Sequence, residues 1–214
     1  MRTIIRLVGL GLILTGLLMG GLRLHQDWQQ DHEYGRAQQN LRDQLWQPQV
    51  GHQASAPPQG AKRKGPGLRE GKALAVLRIP KFGSGYRPVV VEGVSQDALA
   101  KGPGHYPGTA MPGEIGNFAV AGHRTGWGQP FNRLDQLKRG DSVTVEWRGR
   151  SDTYRITETK KVKPTEVGVV LPVPNRPGVK PDKARITLTT CTDRDPVTRA
   201  YRLRLVVWGE LRER

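Results

Sequence analysis

Residues 73–214 are predicted to fold as an all-β sandwich or barrel. Three observations carry the prediction: short stretches in which apolar and polar residues alternate, Gly and Pro between them, and very little helical periodicity. The stretch 73–79 alternates, 88–92 is a valine run, and 116–121 is small and apolar. The stretch 141–147 alternates through Val143, Val145 and Trp147, and 153–159 through Tyr154 and Ile156. Ile186 and Leu188 mark a strand over 185–191, and 202–208 is the last. Only 95–101 and 131–137 read as single helical turns, the first capped by Ser95 with Ala98 and Leu99 inward. No internal repeat is visible.

Ahead of this domain the composition changes twice. Residues 1–23 carry Arg2 and Arg6 and then an apolar run over 7–22, which Ile4 and Ile5 extend toward the ~20 residues of a bilayer helix. Arginine before the run predicts a cytoplasmic N-terminus, and no Ala-x-Ala cleavage signal follows. The segment reads as an uncleaved, single-pass membrane anchor with the rest of the chain outside. Residues 24–72 read as a flexible polar stalk. A short helix is expected over 36–46, with Leu41 and Leu45 on one face, ended by Pro48. A Pro-, Gly- and Lys-rich spacer with the cluster Lys62, Arg63 and Lys64 follows.

The formal net charge is +15, which favours anionic surroundings without choosing among lipid head groups, wall polymers and nucleic acid. Lys160, Lys161 and Lys163 have only Tyr154 nearby as a stacking aromatic, so nucleic acid is not expected as a partner. The chain has one cysteine, Cys191, and therefore no internal disulfide. Outside the cell an unpaired thiol is the residue that calls for a reason.

Cys191 ends the alternating stretch ARITLTTC, so a sheet would hold it rigidly while leaving it open to a groove. Of five histidines, His105 and His123 lie in the domain, and His123 follows a small apolar strand and precedes a Gly-rich loop. The last strand, YRLRLVVWGEL, brings arginines back toward the same end if it pairs beside the cysteine strand. His105, His123 and Cys191 have no close-spaced ligand pair, so neither metal nor cofactor is expected.

The segments HYPGTAMPGEIGNFAVAGHRT, TLTTC and RLVVWGEL, in this order and spacing, resemble the sortase family, most closely its class E branch. The likeness covers about residues 74–211 and includes the anchor-and-stalk layout. It implies a closed β-barrel of about eight strands with short helical turns. It also implies a cysteine transpeptidase whose active site joins Cys191, His123 and an arginine on the last strand. That arginine is Arg204, just before Leu205, Val206 and Val207; Arg202 shares its face, and Arg199 is a third candidate.

Under this resemblance the thiolate of Cys191 attacks a backbone carbonyl of an LPxTG- or LAxTG-type sorting signal near the C-terminus of secreted proteins. His123 transfers protons, and the arginine stabilises the oxyanion. The acceptor would be an amine of a peptidoglycan stem peptide or lipid-linked precursor. Tyr106, before Pro-Gly-Thr, is tied in that branch to alanine at the second position of the signal. The hydroxyls of Thr189 and Thr190 are further candidates for substrate contact, Thr190 foremost. Two rivals stand beside this reading. An L,D-transpeptidase would need a histidine close before the cysteine, and none is present. A non-enzymatic wall-binding module on a tether would leave Cys191 buried and unreactive.

Overall fold

A computed structural model describes residues 2–46, 69–198 and 200–212, with side chains of the first stretch from residue 11 to residue 45. Its elements are a helix α1 (Arg2–Trp46) and strands β1 (Ala73–Arg78) and β2 (Val89–Glu92), then a one-turn helix α2 (Gln96–Leu99). Strands β3 (Gly104–His105), β4 (Gly116–Ala121), β5 (Ser142–Trp147), β6 (Arg150–Val162), β7 (Ala184–Arg194) and β8 (Tyr201–Leu211) follow. The strands close into a barrel in the order β1-β2-β3-β4-β7-β8-β6-β5. The open alternative, a sandwich, is thereby set aside.

Alternation places the core. Ile186 and Leu188 on β7, Phe118 and Val120 on β4, and Leu205 and Val207 on β8 point into one buried cluster. β4 and β7 pair in parallel, from Gly116↔Ala184 to Ala121↔Thr189, and β7 pairs antiparallel with β8. Apart from Asn117, β4 is apolar along its length, and it is covered on both faces. The opposite face of β7 carries Thr187 and Thr189, both buried although polar. The 3-10 turn Val167–Val170 reaches Thr187, whose Oγ1 lies 3.4 Å from the Val169 carbonyl and donates to Asn117 Oδ1 at 2.8 Å. Ser95 caps α2 as expected, its Oγ accepting from the Ala98 amide at 3.2 Å.

The N-terminal region departs from expectation. The helix expected over 36–46 runs unbroken through Arg2–Trp46, and its second half lies on the barrel. Leu41 is buried among Val76, Val89, Val91 and Ala98. The Gln38 amide pairs like a peptide group with β2, donating to Val89 O at 3.1 Å and accepting from Val89 N at 2.7 Å; it also donates to Lys101 O at 2.7 Å. A primary amide matches the spacing of a strand edge, so a glutamine can dock a helix that has few apolar residues. The spacer with Lys62, Arg63 and Lys64 lies outside the described residues. Among the described residues no helix is long and apolar enough to cross a membrane.

Candidate active site

Cys191 sits near the end of β7, half-buried. Its register partner on β8 is Arg204. Residues directly paired in an antiparallel ladder project to the same face with Cβ atoms about 5 Å apart. The two candidate arginines therefore differ sharply. Arg202 is exposed and meets acids, with Asp193 at 3.4 Å and Asp195 at 3.9 Å. Arg204 is half-buried, and its recorded bond is a long one of 3.5 Å from Nη1 to the neighbouring Leu203 carbonyl. Among the described residues no carboxylate pairs with it, so its guanidinium keeps donors for another partner. Arg199 lies outside the described residues.

His123 arrives from the other side of β7. The β4–β7 register ends at Ala121↔Thr189, and the Gly122 amide still donates to Thr189 O at 3.0 Å. Continued two residues further, that register would set His123 beside Cys191. Two features fix the turn. Thr190 Oγ1, buried, donates to Gly122 O at 2.8 Å. Gly122 itself allows a close approach, since a Cβ there would lie 2.6 Å from Phe131 Cδ2. The Thr190 hydroxyl thus ties the histidine segment to the cysteine strand.

The His123 ring is half-buried, and its buried Nε2 has no hydrogen-bond partner among the described residues. Burial lowers its pKa below the usual 6.5, because the charged imidazolium loses hydration. The ring is accordingly neutral at pH 7, with one nitrogen aimed at no protein group. Beyond it the chain makes a left-handed turn, with φ of 70° at Gly126, 51° at Trp127, 68° at Gly128 and 49° at Gln129. Two of these four are not glycine, and each costs about 1–2 kcal/mol in this region.

Tyr106 is also brought to the site. Its hydroxyl is 3.1 Å from Thr189 Oγ1, two residues before Cys191 on the same face of β7. Sequence reasoning missed what holds it. His105 is buried between Glu92, at 2.7 Å from Nδ1, and Thr109, at 2.9 Å from Nε2, and it stacks on Phe118. Thr109 Oγ1 in turn donates to the Tyr106 carbonyl at 2.8 Å. The available signal was the Pro-Gly turn between Tyr106 and Thr109.

These placements define the class: a closed β-barrel in which one arginine stands opposite one cysteine, and a histidine follows the end of the neighbouring parallel strand. The Sortase domain family model matches residues 77–212. Sortase SrtE1 of Streptomyces coelicolor is 34% identical over 223 residues, covering 97% of this chain and 57% of that protein. Sortase SrtE2 of the same organism is 33% identical, covering 94% of this chain and 79% of the relative. Among solved structures, sortase E from Streptomyces avermitilis matches with TM-score 0.59 and 40% identity, over 68% of this chain and 91% of that one. SrtA sortase from Actinomyces oris matches with TM-score 0.63 and 35% identity, over 68% and 82%. The chain belongs to the sortase family. It spans little more than half the length of SrtE1.

Proposed function

We propose that this chain is a cysteine transpeptidase that cleaves an LAxTG- or LPxTG-type sorting signal and joins the released acyl group to a peptidoglycan amine. The observation that carries the reading is the β7–β8 register that sets Arg204 opposite Cys191. The Cys191 thiol passes its proton to the His123 ring as Sγ attacks the signal's carbonyl carbon and an S–C bond forms. The C–N bond then breaks as His123 delivers a proton to the departing amine. An incoming amine loses its proton to His123 and attacks the thioester; a C–N bond forms, the C–S bond breaks, and His123 returns that proton to the departing sulfur. The Arg204 guanidinium, charged throughout, donates to the oxyanion of both tetrahedral intermediates.

The tethered, non-enzymatic reading needs a walled-off cysteine, and the half-buried Cys191 speaks against it. The proposal includes a membrane anchor over 1–23 with the cytoplasm on its N-terminal side and the catalytic domain, 73–214, outside. Supporting it are Arg2 and Arg6 before the apolar run and the exposed Leu12, Ile13, Leu14, Leu17 and Leu18 on α1. The test incubates the full chain in detergent with LAxTG and LPxTG peptides and an amine, following the thioacyl adduct by mass spectrometry. Wild type should form the adduct and Cys191→Ala none. A wild-type chain that never acylates with either peptide would overturn the reading.

A further inference from the structure

The turn that follows His123 is held from outside the barrel. The left-handed stretch 126–129 includes two non-glycine residues, Trp127 and Gln129, and such a conformation persists only where neighbours over-determine it. The neighbours come from α1. The Asp31 carboxylate accepts the Gly128 amide at 3.0 Å. The Tyr34 ring lies so close that a Cβ on Gly128 would be 2.2 Å from Tyr34 Cδ1, and one on Gly126 would be 2.9 Å from Gln30 Oε1. Gln30, Asp31 and Tyr34 share one face of the helix, and Gln38, one turn further along that face, bonds to β2. At its far end the loop returns to the histidine, the Phe131 amide donating to the His123 carbonyl at 3.0 Å.

We propose that α1 is a positioning element of the active site, in which Asp31 and Tyr34 hold the turn 126–129 and thereby fix His123 beside Cys191. The inference rests on the reading that His123 works at Cys191. Asp31 and Tyr34 do not touch the reacting atoms; they act through the backbone. With the helix face removed, the Gly128 amide loses its acceptor and the turn is free to leave the left-handed region. His123 then keeps Gly122 and the Thr190 tie on one side but loses its restraint on the other.

The test uses the full chain in detergent, as wild type, Asp31→Ala and Asp31→Asn. Amide exchange at Gly128, the single-turnover acylation rate with an LAxTG peptide, and KM are measured. Asp31→Ala should speed Gly128 exchange and slow acylation by about five-fold each, the scale of one lost hydrogen bond, with KM within about two-fold. Asp31→Asn keeps an oxygen acceptor and should restore both. A purely structural role would move exchange without touching the acylation rate. Acylation at the wild-type rate in Asp31→Ala, a loss confined to KM, or a loss that Asp31→Asn fails to restore overturns the proposal. Should wild type itself form no adduct, the transpeptidase reading fails separately. Whether α1 holds the turn is then decided by Gly128 exchange and the His123 ring resonances.

Discussion

Two arginines on one face of β8, two residues apart, offer a controlled comparison of what the register implies. Arg204 stands opposite Cys191 and has no acid partner among the described residues, whereas Arg202 is exposed and paired with Asp193 and Asp195. Removing a donor that meets a developing oxyanion costs about 3 kcal/mol, or 100- to 1,000-fold in turnover. Removing an exposed arginine from a surface ion pair costs about 0–1 kcal/mol in stability and leaves the oxyanion untouched. Arg204→Ala should therefore lower kcat/KM by about two to three orders of magnitude, and Arg202→Ala by less than about five-fold. Arg204→Lys keeps the charge but not the planar fork of donors, and should fall between wild type and Arg204→Ala. The assay is steady-state transfer from an LAxTG peptide to an amine, with thermal midpoints taken alongside to separate folding from catalysis. Equal and mild losses in Arg202→Ala and Arg204→Ala would refute the reasoning, because the register would then have no bearing on the reaction.

Thr190→Val replaces a buried hydroxyl by a methyl of similar size and leaves the Gly122 carbonyl without its 2.8 Å donor. An orphaned buried acceptor costs about 1–3 kcal/mol, so the thermal midpoint should fall by about 3–9 °C by differential scanning fluorimetry. A midpoint unchanged from wild type would mean the tie contributes nothing. Tyr106→Phe removes the hydroxyl that meets Thr189 Oγ1 at 3.1 Å. The kcat/KM ratio for LAxTG over LPxTG peptides should drop by about five-fold, and an unaltered ratio would make Tyr106 a packing residue only.

Strand residues were legible in the sequence because alternation reports directly on which side chains face the core. Ile186 and Leu188, Val143 and Val145, and Tyr154 and Ile156 all lie inward in the barrel. The two-residue strand Gly104–His105 was not legible, since period-two patterning needs more residues than it has. β6 extends to Val162 through Glu158, Lys160 and Lys161, exposed residues whose run of charge hides the pattern. The docking of α1 was hidden for a related reason. Its contact rests on Gln38 and Leu41 within a polar stretch, and Gln38 works by imitating a peptide group rather than by being apolar.

The same distinction separates the legible and illegible parts of the site. Cys191, His123 and the arginine pair announce themselves by residue type at strand ends, and type is what a motif records. Arg202 and Arg204 have equal claims on alternation; the resemblance selects Arg204, but its physical reason, the pairing Cys191↔Arg204, is a fact about a neighbouring strand that neither strand contains alone. The turn 126–129 lies further still from the sequence. Gly126 and Gly128 suit a left-handed turn, but Trp127 and Gln129 have no preference for one. The conformation there has to be imposed, and the groups positioned to impose it, Asp31 and Tyr34, stand on a helix nearly one hundred positions earlier in the chain.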